Sequence, residues 1–198
     1  MIFERNVPGS TELLQKARVG IAGCGGLGSN AAVALVRAGL GHLILADFDS
    51  VELSNLNRQY FFQDDVGLPK TEALANHLKN INPTVTLQLH QEELTSDSVP
   101  EIFKDADILL EAFDKAESKA WLIESWAAAF PDRALVIGNG LSGAGRTNRL
   151  RVKKVGNLYF CGDGETGMEL GLCSARIAIA ANMEANVVTS LLLGLEEV

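Results

Sequence analysis

Short unbroken apolar runs and helical-period segments take turns along this chain. Arg18–Gly23 (RVGIAG), His42–Ala46, Ala106–Ala112 and Ala134–Ile137 are runs of strand length closed by glycine or polar residues, as expected of strands buried on both faces of a parallel sheet. Between them, Ser29–Arg37 is rich in Ala, Val and Leu and is stopped by Gly39 and Gly41, which predicts a buried helix. Lys70–Asn80 brings Leu74, Leu78 and Ile81 to one face before Asn82-Pro83 ends it, the spacing of an amphipathic helix. Further helices are predicted at Thr11–Lys16, Ala116–Ala129 and Leu172–Leu193, and a strand at Val85–Leu89. Arg146–Val152 and Leu158–Cys161 read as a more exposed antiparallel pair. Alternation of this kind predicts an α/β architecture with an open, mostly parallel sheet, right-handed crossovers and an antiparallel C-terminal extension. With no repeat or long linker, residues 1–198 are expected to form a single domain.

Composition narrows the classes of function. The chain has 198 residues, 47% hydrophobic and 21% charged, a profile of soluble globular proteins. Its net charge of −8 would repel a phosphate backbone, so no nucleic-acid partner is expected. Met1–Ser10 carries no apolar leader, and the longest apolar stretch, Ile177–Leu195, is broken by Asn182, Glu184, Asn186, Thr189 and Ser190; no membrane association and a cytoplasmic location are therefore expected. Cys24, Cys161 and Cys173 form no CxxC pair, so neither a disulfide framework nor a zinc site is expected, and semi-buried packing is the favoured role of all three.

The first chemical signal is Gly23-Cys24-Gly25-Gly26-Leu27-Gly28, a GxGxxG loop that follows a strand and opens a helix. Gly23, Gly25, Gly26 and Gly28 allow a sharp turn and close backbone approach, and the helix start offers free N–H groups to a phosphate, in the manner of Rossmann-like folds. Asp47 closes the second strand, nineteen positions beyond Gly28, where a carboxylate can accept both ribose hydroxyls. A strand-to-helix turn with no ligand satisfies the glycines equally. An NAD-dependent oxidoreductase and an ATP-using enzyme are not separated by these features.

The next segment, DFDSVELSNLNRQ (Asp47–Gln59), is followed eleven positions beyond Gln59 by Lys70 at a helix start. Arg58 offers a planar fork and Lys70 a point charge, while Asn55 can donate an amide hydrogen bond. Singly, each is an ordinary loop polar group; together they favour a polyphosphate. With GCGGLGSN (Gly23–Asn30), GLPK (Gly67–Lys70), INP (Ile81–Pro83) and Asp114 in EAFDKAESK, the chain resembles the ThiF/MoeB/HesA family, relatives of the activating domain of ubiquitin-activating enzymes, and among them the compact ThiF-type members. The resemblance runs from about Arg18 to the final helix and places the nucleotide-binding half at about residues 17–115. It implies that Gly26 and neighbouring amides line ATP, that Asp47 holds the ribose, and that Asn55, Arg58 and Lys70 contact the phosphates. It also implies that Asp114 binds Mg²⁺, that Arg5 reaches the nucleotide of a partner subunit in a homodimer, and that the substrate is a small ubiquitin-like carrier ending in Gly-Gly, either ThiS-like and serving thiamine biosynthesis or MoaD-like. A carboxylate just past a strand end faces a ligand crevice, and Mg²⁺ favours carboxylate with phosphate oxygens; Asp114 as a helix N-cap is the competing reading. For Arg5 the competing reading is a solvated terminal side chain.

The chain departs from the family at two points. It lacks the paired CxxC motifs that hold zinc in many relatives. In the family pattern TCxEAGVMAP, register through Thr166, Glu169 and Gly171 puts Gly167 at the cysteine and Cys173 at the methionine position, which favours packing for Cys173 and puts a covalent sulfur step in doubt. The expected activity is adenylation of the carrier's C-terminal carboxylate with release of pyrophosphate. Its rivals are an NAD-binding oxidoreductase and a non-catalytic nucleotide-binding partner.

Overall fold

In the computed structural model, which describes residues 2–195, seven strands form one sheet in the order β3-β2-β1-β4-β5-β7-β6. The strands are β1 (Arg18–Ala22), β2 (His42–Ala46), β3 (Thr86–His90), β4 (Ile108–Glu111), β5 (Ala134–Gly138), β6 (Arg151–Val155) and β7 (Leu158–Gly162). All pairings are parallel except β6 with β7. The helices are α1 (Ser10–Leu14), α2 (Gly26–Ala38), α3 (Lys70–Ile81), α4 (Ser98–Ile102), α5 (Ala116–Ala129) and α6 (Ser174–Leu192). One core layer joins α2, α3 and α6 to the sheet through residues such as Leu35, Val36, Leu74 and Val188. The opposite layer joins α4 and α5 through Phe103, Leu122 and Trp126. The architecture is thus the α/β, Rossmann-like open sheet with an antiparallel C-terminal pair that the apolar runs predict. Of the span 1–198, Met1 and residues 196–198 lie outside the described residues.

Differences are local. α2 begins at Gly26 rather than Ser29, because the loop glycines themselves form its first turn. The segment before β6 is not strand: Arg146 adopts a left-handed φ of 52° after Gly143 and Gly145, and Thr147–Arg149 make a 3-10 turn. α6 begins at Ser174 because Cys173, at φ −113° and ψ 125°, is its extended N-cap. The five-residue α4 has no apolar period to announce it.

On α6, Ile177, Ala180, Ala181, Ala185, Val187 and Val188 are all buried within the chain. Ile179 is the large apolar residue left exposed on it. The same helix buries Glu184 completely, and neither carboxylate oxygen has a hydrogen-bond partner. Burial pushes the Glu184 carboxyl well above the usual range, an effect opposed by Lys119 and reinforced by Glu111. A carboxyl whose pKa is raised on folding binds its proton more tightly in the folded state. Its contribution to stability is therefore lost as pH rises from the ordinary glutamate range toward the raised value. Glu184→Gln keeps the shape and removes the titration. The variant should lose less melting temperature than the parent between pH 5 and pH 8, with part of the decline persisting from Asp47 and Glu111, which burial also raises. Equal declines in thermal melts of the two proteins would remove Glu184 as a source.

Among the described residues, no helix is long and apolar enough to cross a membrane.

Candidate functional site

β1 pairs with β2 on one side and with β4 on the other, so Ala22, Ala46 and Glu111 end in register. The chain leaves this edge in opposite directions, which opens a crevice at the carboxyl ends of the strands. The glycine loop follows β1, Asp47 follows β2, and Asp114 lies beyond β4.

The glycine loop is shaped by contacts that leave little room for side chains. Gly23 takes φ 97° and lies against the Ala112 carbonyl. A Cβ built on Gly28 would sit 1.8 Å from the Gly23 carbonyl oxygen, so the first turn of α2 closes directly on the loop. Gly25 is the N-cap of the thirteen-residue α2, with no side-chain cap and no acidic residue in the first turn. Asp47, buried, braces this loop: its Oδ2 accepts from the Cys24 N–H at 2.6 Å and its Oδ1 from the Asp49 N–H at 2.8 Å. Burial raises the Asp47 carboxyl, opposed by Lys70 and by these two N–H groups.

Lys70 arrives here because segments 49–51 and 67–70 pair as antiparallel backbone, with Val51 N–H to Leu68 O at 2.8 Å and Lys70 N–H to Asp49 O at 2.9 Å. Its ammonium donates to Asp49 Oδ2 at 2.7 Å, with side-chain exposures of 7% for Lys70 and 47% for Asp49. Asp49 is thus an ion-pair partner that keeps one side open to solvent. Arg58 lays its Cγ and Cδ beside Gly26. Its Nη1 donates to Ser54 O at 3.2 Å and to Asn57 Oδ1 at 2.8 Å. Asn55, buried, accepts from the Glu52 N–H at 3.0 Å and gives its Nδ2 only a long contact of 3.4 Å to Ser54 Oγ. The structure brings Gly23, Gly25, Gly26, Gly28, Asp47, Asn55, Arg58 and Lys70 to one edge.

Asp114 is exposed in the turn after β4. It is not a helix cap: Lys115 is the N-cap of α5, and no side chain caps that helix. Arg5 does not join the cluster of its own chain. Its neighbours Phe3 and Asn6 pack at Gly39 and Ala38, the far end of α2, roughly 20 Å from the glycine loop by helix rise.

Several site residues escaped the sequence. Asn30 Nδ2 ties Gly26 O at 2.7 Å to Arg58 O at 3.0 Å. Ser29 Oγ donates to Gly25 O at 2.6 Å and accepts from the Tyr60 N–H at 2.9 Å. Gln59 has its Nε2 3.7 Å from a Cβ built on Gly25, and its buried Oε1 has no partner. Both GCGGLGSN and NRQ contain these residues, but nothing in their types shows that they face each other. Cys24 lies under the loop, its thiol pushed well up by burial and by Asp47, which suits packing.

The cluster fits a nucleotide. Free N–H groups at the start of α2, the donor on Asn55 and the cations of Arg58 and Lys70 are complementary to phosphate oxygens, and the unused amide oxygen on Gln59 can accept from a ribose hydroxyl. Among the described residues no group of three His, Cys, Asp or Glu is placed to hold a metal ion; Asp114 offers a single carboxylate, the arrangement by which Mg²⁺ is shared with substrate phosphates.

The ThiF family profile matches residues 2–198, and the chain belongs to that family. It is 32% identical over 162 residues to the adenylyltransferase and sulfurtransferase MOCS3 of Culex quinquefasciatus, covering 81% of this chain and 36% of that protein. It is 36% identical over 126 residues to ubiquitin-like modifier-activating enzyme 5 of Drosophila ananassae, covering 58% of this chain and 32% of that protein. The chain thus spans about a third of the length of these two relatives. The crystal structure of the E. coli tRNA N6-threonylcarbamoyladenosine dehydratase TcdA with ATP superposes with a TM-score of 0.82 at 23% identity, covering 94% of this chain and 91% of that one. At that identity the likeness is one of fold.

Proposed function

We propose that the chain, as one ThiF-type domain with its nucleotide half at about residues 17–115, adenylates the C-terminal glycine carboxylate of a small ubiquitin-like carrier. The observation that carries this reading is the set of Arg58 against Gly26 at the start of α2, Lys70 on Asp49 beside the loop-bracing Asp47 and Asn55 bonded through its backbone carbonyl to the Arg58 N–H, a set that a nicotinamide cofactor does not need. A carboxylate oxygen of the carrier bonds to the α-phosphorus of ATP as the bond to the bridging oxygen breaks, giving an acyl-adenylate and pyrophosphate. The substrate is its own nucleophile, so catalysis rests on alignment and charge. Lys70 and Arg58 neutralise phosphate oxygens, Asn55 donates to them, and Asp47 holds the ribose while bracing the loop. Asp114 would hold Mg²⁺, which when bound supplies charge neutralisation between phosphates. We assign the carrier to the ThiS-like class of thiamine biosynthesis, with a MoaD-like protein next. The test is carrier-dependent exchange of labelled pyrophosphate into ATP. Exchange with a Gly-Gly-ending carrier and none with its truncated form supports the reading. Binding of NAD in preference to ATP–Mg²⁺ returns the oxidoreductase, and ATP binding without exchange for any carrier returns the non-catalytic partner.

We place the protein in a homodimer in which Arg5 serves the other subunit's site, because the far end of α2 keeps it from its own. A monomer mass by light scattering at micromolar concentration would refute this.

One observation favours a second reading, with tRNA as substrate. Arg146, Arg149, Arg151, Lys153 and Lys154 fall within nine residues of an acidic chain, and Arg151, Lys153 and Phe160 line a cavity of about 340 Å³ that Asp163 and Glu165 share. Exchange that depends on tRNA and ignores every carrier would select it.

A further inference from the structure

We propose that Glu111 and Lys119 form a buried brace that positions the turn at residues 112–114, and through it Asp114. The part concerning Asp114 rests on the metal-holding role proposed above.

Glu111 is the last residue of β4 and is fully buried. Its carboxylate accepts three hydrogen bonds from two groups. Lys119 Nζ, on the second turn of α5, donates to Oε2 at 2.8 Å and to Oε1 at 3.1 Å. The Phe113 N–H donates to Oε1 at 2.6 Å. One carboxylate thus joins the strand end, the turn and the following helix. Beyond it, the Ala112 N–H is tied to Ala22 O at 2.9 Å, and α5 lacks a side-chain cap. The ring of Phe113 lies on Trp121 at 5.6 Å between centroids and against the space beside Gly23. The brace therefore sets both the wall of the glycine loop and the residue that follows Phe113.

Stability is a poor reason to keep this pair. Apolar residues of similar volume commonly match or exceed a buried ion pair in stability. What they cannot supply is a charged acceptor fixed by a second element and aimed at one backbone N–H. Outer-shell groups that orient a ligand typically cost about 10–100-fold in metal affinity or activity when removed.

The test uses the double variant Glu111→Leu with Lys119→Met, which removes both charges together and avoids stranding either one. Glu111→Gln serves as the conservative variant, because its amide oxygen still accepts from Phe113. Two readouts are taken on the full chain: hydrogen exchange of the Phe113 amide without ligand, and the Mg²⁺ midpoint for thermal stabilisation at fixed ATP. In the double variant we expect Phe113 exchange at least about tenfold faster and a Mg²⁺ midpoint about tenfold higher. Glu111→Gln should hold Phe113 exchange near the parental rate. Parental Phe113 exchange in a folded double variant overturns the brace. Asp114→Asn run alongside separates the two ideas. If that variant keeps the parental Mg²⁺ midpoint, the metal-holding role fails, and the brace stands or falls on Phe113 exchange alone.

Discussion

Asp114→Asn should lower carrier-dependent pyrophosphate exchange by on the order of a hundredfold or more, the scale of losing one strong transition-state contact, while leaving the melting temperature in place. Both halves come from the position of the side chain. Asp114 is exposed just past β4 and makes no ion pair among the described residues. Its replacement removes no cap, because the cap position belongs to Lys115. Substitutions of that kind stay within about 0.5 kcal/mol in stability. The amide preserves size and one acceptor oxygen but not the anionic charge that Mg²⁺ favours. Exchange and thermal melting are to be measured on one preparation. Parental exchange would show that the metal is held elsewhere.

Gly28→Ala should cost the fold itself about 3 kcal/mol or more, at the upper end of overpacking, and nucleotide binding with it. The new methyl has nowhere to go. Its carbon would lie 1.8 Å from the Gly23 carbonyl oxygen and 3.1 Å from Ile21 Cγ2, and the first obstacle is backbone that cannot rotate aside. Relief requires α2 to lift off the loop, which also moves the free N–H groups that would face phosphate. Gly25→Ala is the internal control, since its methyl meets only Gln59 Nε2 at 3.7 Å. Urea denaturation read by circular dichroism checks the difference. Equal stability of the two variants would show that the loop yields more easily than its packing indicates.

Much of the fold was legible because its strands are buried on both faces and its helices are long. β2 and α5 occupy the ranges that the apolar runs assign, His42–Ala46 and Ala116–Ala129. Failures fall where local chemistry overrides period. The stretch at residues 146–150 has strand-like composition, but Gly145 and the left-handed Arg146 turn it aside before β6. The members of the candidate cluster could be named residue by residue because they lie in short motifs, and the structure brings them to one edge. The brace was not, because Glu111 and Lys119 read as an ordinary strand end and an ordinary helical lysine until β4 and α5 are placed together. Glu184 misled in the same way: a glutamate in an apolar segment looks like a polar interruption, and it is instead completely buried. Arg176 repeats the lesson, paired at 2.5 Å with Asp163 inside the fold. Periodicity reports which face is apolar on average and is blind to a charge that finds its partner there.

The ion pair between Lys70 and Asp49 has a consequence for ligand selection. A nearly buried ammonium with a carboxylate already at 2.7 Å is compensated before any ligand arrives, so an arriving anion competes with that counter-ion for it. A lone carboxylate or a singly charged phosphodiester offers Lys70 little that Asp49 does not. On the proposed adenylation, a group carrying several negative charges would win the exchange, and cutting its chain of phosphates would return Lys70 to Asp49. On that reading the pair would act as a threshold, setting how much charge a visitor must bring to stay and helping to dismiss it when that charge has been divided.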